Sequence, residues 1–176
     1  NRTLSYTIDV PAGIPPGVQR WQAEGPASAI GGQSENIGGA LPNAVSGAVH
    51  VVLPHPTDAN VLTIGSVNGG VWRTQNALAA APQWRPRTDR LGSLSIGALV
   101  YDLGDATRRR MFAGVGRFSS YRSDGGARIG VLRSLDEGEN WSLVSTDMAG
   151  RNISGLHVNG AVVVAAVNAA NSGSCA

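Results

Sequence analysis

The sequence predicts an all-β chain built from repeats of a four-stranded antiparallel unit, and three observations carry that prediction. Glycine accounts for 24 of the 176 residues and proline for 9, with no Gly-X-Y period, which describes a chain dense in turns rather than a collagen. Short runs rich in Val, Ile and Leu recur between Gly, Pro, Asn and Asp, as strands do, and helical periodicity is nowhere sustained over about eleven residues. The third observation is an internal repeat. Gly70-Val71-Trp72-Arg73-Thr74 returns sixty positions later as Gly130-Val131-Leu132-Arg133-Ser134, each copy followed by a tryptophan that opens a polar run, Trp84 and Trp141.

The elements follow in order. The first unit combines Ala44 to Leu53, Val61 to Gly65, the Gly70 to Thr74 copy and Trp84 to Asp89. The second combines Leu94 to Tyr101, Met111 to Val115, the Gly130 to Ser134 copy and Trp141 to Asp147. A third begins at Ile153 to Val158 and continues as Ala161 to Val167, two strands short of the pattern. Four-stranded antiparallel units at a period of about 50 to 60 residues are the mark of β-propeller blades. The expected organisation is an N-terminal extension (1–43), a blade (44–89), a second blade (90–147) and an incomplete blade (148–176). Arg20-Trp21-Gln22 reads as a further Trp-led fourth strand, a candidate for closing a ring from the N-terminal side. About two and a half blades expose apolar sheet faces, so the expected partners include the rest of a longer propeller or another chain covering the open blade.

Composition bounds the function classes. With 42% hydrophobic and 15% charged residues the chain buries a core and is not intrinsically disordered. Fourteen basic residues, all Arg, against twelve acidic give a net charge of +2, too small to predict nucleic-acid binding. The longest apolar run, Ala161 to Val167, is far shorter than the roughly 18 residues of a spanning helix. Cys175 is the single cysteine, so neither an internal disulfide nor a Cys-based zinc site is expected. His50 and His55 lack a third ligand at sensible spacing, and no metal or cofactor is predicted. Arg108-Arg109-Arg110 lies in a turn beside Asp102 and Asp105 and reads as a solvated charge run. No phosphate loop, dinucleotide fingerprint or nucleophile elbow is present.

Ser134-Leu135-Asp136-Glu137-Gly138-Glu139-Asn140-Trp141 has the spacing Ser-x-Asp-x-Gly-x-x-Trp. Its hydroxyl and carboxylate suit backbone hydrogen bonding in a tight hairpin, with Gly at positive φ and Trp packed beneath. The segment resembles the Asp-box, or BNR repeat, of sialidase-like, sortilin-like and xyloglucanase-like propellers, over roughly residues 44 to 170. The first unit carries a degenerate copy, Arg73-Thr74-Gln75-Asn76, without the Asp and the Gly. The resemblance implies that Ser134, Asp136, Gly138 and Trp141 are structural and lie away from the face that meets ligand. It therefore directs attention to the opposite loops: Ser66 to Gly69, Arg85 to Ser93, Gly116 to Arg128 and Asp147 to Asn152.

On that side the candidate binding residues are Arg117, Tyr121, Arg122, Asp124 and Arg128 of the inserted loop, with Arg90, Arg151 and Asn68. Arginine and aromatic side chains on a long loop suit glycan or protein recognition through stacking and forked hydrogen bonds. The Gly69-Gly70-Val71-Trp72-Arg73 run resembles the xyloglucanase-type propellers, which place an acidic residue shortly before the paired glycines. Asn68 stands in that neighbourhood here, and an amide does not transfer protons as a carboxyl does. No catalytic residue is assigned. The expected function is a non-catalytic binding or scaffold module, secreted, periplasmic or at the cell surface, engaging a protein partner or a polysaccharide. The alternatives are a sialidase-like or xyloglucanase-like glycoside hydrolase whose carboxylates lie outside this sequence, and an accessory subunit of a larger complex.

Overall fold

The computed structural model describes residues 47–117 and 124–168. The expected closing strand around Trp21, the candidates Tyr121 and Arg122, and Cys175 lie outside the described residues. Within them the chain is all-β. Strands β1 (Val49–Pro54), β2 (Leu62–Ser66), β3 (Val71–Thr74) and β4 (Arg85–Pro86) form one antiparallel sheet in sequential order. Strands β5 (Ile96–Tyr101), β6 (Met111–Val115), β7 (Val131–Ser134) and β8 (Ser142–Ser145) form a second of the same order, and β9 (Asn152–Asn159) pairs with β10 (Val162–Asn168). The fold is two propeller-type blades and the first two strands of another.

Most boundaries move by one or two residues from the sequence reading, and two differ more. β1 begins at Val49, the expected start at Ala44 lying outside the described residues, and β4 has two residues instead of the six from Trp84 to Asp89. The second difference has a local cause: Pro86 has no N–H to give the ladder. Pairing resumes irregularly, with Arg87 N donating to Val71 O at 2.8 Å and the Thr88 hydroxyl accepting from Val71 N at 2.8 Å.

Strand alternation sorts the middle sheet into two cores. Leu99, Tyr101, Met111, Ala113, Val115 and Leu132 face the first sheet and pack with Val71 and Trp141. Ala98, Phe112 and Val131 face the other way, onto Ile153 and Val158 of β9. A bulge between Ile96 and Ala98 puts Ile96 on the same side as Leu99, two faces that strict alternation would separate. The same contact recurs at both interfaces. A Cβ on Gly65 would overlap Ile96, and one on Gly114 would overlap Ile153, so a glycine in the second strand admits the first strand of the next sheet.

Polar links join the layers at one end. Arg73 of β3, with a side chain 1% exposed, reaches the β7–β8 turn and pairs with Glu137 at 2.6 Å and Glu139 at 2.7 Å. Arg87 adds a second bond to Glu139 at 2.6 Å. Buried Asp102 accepts hydrogen bonds from Gly104 N and from Gly160 N in the β9–β10 turn, and pairs with Arg110 Nε at 2.8 Å. Arg110 of the expected solvated run is thus an anchor. Beside this cluster, burial pushes the Tyr101 phenol up, against the lowering effect of Arg73, so it stays protonated at neutral pH.

Candidate functional site

Because the strands alternate in direction, the connections fall at two ends. Residues 55–61, 75–84, 102–110, 135–141 and 160–161 form the lower end, and 67–70, 87–95, 116–117, 124–130 and 146–151 the upper. The Ser134 to Trp141 turn is therefore opposite the loops that hold the candidate binding residues.

At the upper end the β2–β3 turn is closed by the Ser66 hydroxyl, which accepts from Gly69 N at 2.7 Å, and by Trp72 Nε1, which donates to Gly69 O at 2.7 Å. This presents Asn68 at an exposed tip. Its Oδ1 accepts the Ser95 hydroxyl at 2.6 Å, and its Nδ2 donates to the carbonyl of Asp124 at 3.2 Å. Ser95 Oγ in turn accepts Gly126 N at 2.8 Å. Arg117 Nη1 donates to Gly125 O at 3.2 Å, and Arg117 N to Asn152 Oδ1 at 3.1 Å. The Arg128 carbonyl accepts Gly150 N at 2.8 Å, which sets Arg128 beside the loop bearing Arg151.

The structure thus brings Asn68, Arg117 and Asp124 into one network and ties the backbone of Arg128 to Gly150, the neighbour of Arg151. Arg90 is exposed in the 87–95 loop, with no hydrogen bond or ion pair among the described residues. Sequence reasoning missed the two residues that organise the site, buried Ser95 and Asn152. A signal existed: they precede Ile96 and Ile153, equivalent first-strand residues of successive units, 57 positions apart.

The upper-end carboxylates, Asp89, Asp124 and Asp147, are exposed. Among the described residues, the groups whose titration the fold displaces are Asp105 and Asp136 at the lower end and Tyr101 at the end of β5 beside it. Among the described residues no cluster of three His, Cys, Asp or Glu could hold a metal ion, and no helix is long and apolar enough to cross a membrane. His55 serves its own turn, its Nδ1 accepting from Asp58 N at 3.1 Å while its ring meets Tyr101 edge-on at 5.5 Å.

No family model and no curated protein matches the chain. Among solved structures it is similar to an ancestral GH74 enzyme, at 18% identity and a TM-score of 0.47, over 63% of this chain and 12% of that one. It is also similar to the GH74 xyloglucanase from Xanthomonas campestris, at 21% identity and a TM-score of 0.45, over 60% of this chain and 16% of that one. The chain spans less than a fifth of either.

Proposed function

We propose that this chain is an extracytoplasmic, non-catalytic binding module whose upper end takes a polar ligand, a glycan or a protein segment, through Asn68, Arg117 and the loop residues Asp124 to Arg128. One observation carries the reading: Asn68 and the 124–126 segment, far apart in sequence, are locked together through buried Ser95. A fixed rim of amide, guanidinium and backbone groups suits recognition, because little ordering entropy remains to be lost on binding. Glycoside hydrolysis by paired carboxyl groups needs two of them about 5 to 9.5 Å apart. Here Asn68 stands in the neighbourhood where the resembling propellers carry an acid, and both ends of its amide are engaged within the fold.

The test is titration of the chain with soluble xyloglucan, other β-glucans and sialylated oligosaccharides, followed by amide NMR shifts, alongside reducing-sugar release. The expected result is saturable shifts at Asn68, Gly125 and Gly126 without turnover, weakened about tenfold or more by Arg117→Ala. Sugar release above the blank that Asn68→Ala abolishes would overturn the non-catalytic assignment.

A further inference from the structure

Among the described residues, strand β7 carries an arginine whose side chain has no hydrogen-bond or ion-pair partner at the position where β3 carries one with two. Arg73 and Arg133 are the third residues of their strands, in the two copies of the repeated segment. Arg73 lies across from Thr63 and Arg85, and Arg133 across from Phe112 and Ser142. Each shares a sheet face with a valine that packs on the following layer, Val71 for Arg73 and Val131 for Arg133. Arg73 ends on Glu137 and Glu139. The Nε of Arg133 is shielded from solvent, and its guanidinium makes no hydrogen bond or ion pair among the described residues.

The surroundings of the two arginines repeat as well. Strand β9 lies on β5 and β6 as β5 lies on β1 and β2, and Gly114 receives Ile153 as Gly65 receives Ile96. Among the described residues the second interface has no strand pair beside β10. Among the described residues β10 pairs with β9 alone, leaving Val162 60% and Val164 56% exposed. An unpaired strand edge is a template for another strand, and the half-buried Arg133 side chain has no anion beside it among the described residues.

We propose that an antiparallel strand pair whose connecting turn bears two carboxylates docks along β10 and places those carboxylates on Arg133, as the β7–β8 turn does on Arg73. The occupant is an acidic β-hairpin of the β7–β8 kind. A second copy offering its first sheet does not qualify, because residues 75–83 between β3 and β4 contain no acidic residue. Its own β7–β8 turn is already held by Arg73 and Arg87.

The probe is a synthetic peptide covering residues 129–147, compared with the same peptide carrying Glu137→Gln and Glu139→Gln. Each is added to the full chain while the Arg133 Nε–H resonance and the amide exchange of β10 are followed by NMR. The acidic peptide is expected to shift the Arg133 signal and slow exchange across Val162–Asn168, with the Gln peptide binding at least about tenfold more weakly. Arg133→Met should erase the difference between the peptides; if that variant misfolds, the two peptides on the parent chain decide alone. No binding, equal binding of both peptides to the parent chain, or an unmoved Arg133 signal overturns the proposal. The surface lies at the lower end, so its occupancy reads out separately from any ligand at Asn68.

Discussion

The two lower-end turns that precede Trp84 and Trp141 solve one problem with different chemistry. In the β7–β8 turn Ser134 donates to Asp136 Oδ1 at 2.8 Å, and the carboxylate accepts from Asn140 N at 2.9 Å and Asn140 Nδ2 at 2.8 Å. In the β3–β4 turn Thr74 donates to Asn76 Oδ1 at 2.8 Å, and that oxygen accepts from Gln83 N at 2.8 Å. Asn140 and Gln83 each stand immediately before the tryptophan. An amide oxygen therefore does the carboxylate's work in the first blade, across a spacer three residues longer. What the first turn gives up is charge. The second turn also keeps Gly138 at φ 83 and holds Glu137 in the left-handed region at φ 59. That conformation is uncommon for a non-glycine residue, and it accompanies the carboxylate's pairing with Arg73.

The comparison breaks most visibly at the arginines. Arg73→Met removes a buried cation from two carboxylates. Losing one partner of a buried pair costs about 3 to 5 kcal/mol. Glu137 and Glu139 are 34% and 37% exposed and rehydrate, so the expected loss is nearer 2 to 4 kcal/mol, roughly. Arg133→Met has no pair to break and should stay within about 0.5 kcal/mol of the parent. Urea midpoints of the two variants at neutral pH check this, and equal midpoints would remove the clamp from the account.

The next effect is smaller and depends on pH. Burial alone would raise the Asp136 carboxyl, but hydrogen bonds from the Asn140 side chain and backbone and from Ser134 outweigh it and hold the group below its usual range. A carboxyl lowered by folding stabilises fully above its unfolded value of about 3.9, and that contribution disappears as pH falls through the folded value. Asn76 has no such proton to gain. Acid titration followed by NMR should therefore move the Gly138 amide while leaving the Gln83 amide in place. Asp136→Asn should cost about 1 kcal/mol at neutral pH and converge with the parent in acid. Asn76→Asp should transfer an acid transition to the first turn; a Gln83 amide unmoved by acid in that variant would contradict the equivalence.

The smallest effect concerns the upper end. Asn68→Ala removes two hydrogen bonds at an exposed tip, and the expected cost is about 0.5 kcal/mol or slightly more. Amide exchange at Gly126 should quicken while that at Gly138 stays unchanged. Protection lost equally at both ends would mean that the upper-end network supports the whole fold rather than its own loops.

Much of the architecture was legible because strands are local. Met111–Val115 matches its expected range residue for residue, and the other edges move by a few positions where pairing frays or a proline intervenes. The Ser134 to Trp141 turn was readable for the same reason: its donors and acceptors lie within a few residues of one another. Its counterpart at Asn76 is degenerate in sequence. A longer spacer and an amide in place of an acid hide an oxygen that accepts the same bonds.

The residues by themselves determined that this chain makes short antiparallel strands, where they turn, and that two complete units and part of a third follow one another, since alternation and turn chemistry act over a handful of positions. Only the packing of one sheet on the next decided that Arg73 would find Glu137 and Glu139, 64 and 66 positions away, and that Ser95 would reach back 27 positions to Asn68. Single polar residues carry no period by which such pairings can be foreseen. Their partners are chosen by how the layers stack, which glycines at positions 65 and 114 permit and bulky isoleucines at 96 and 153 enforce.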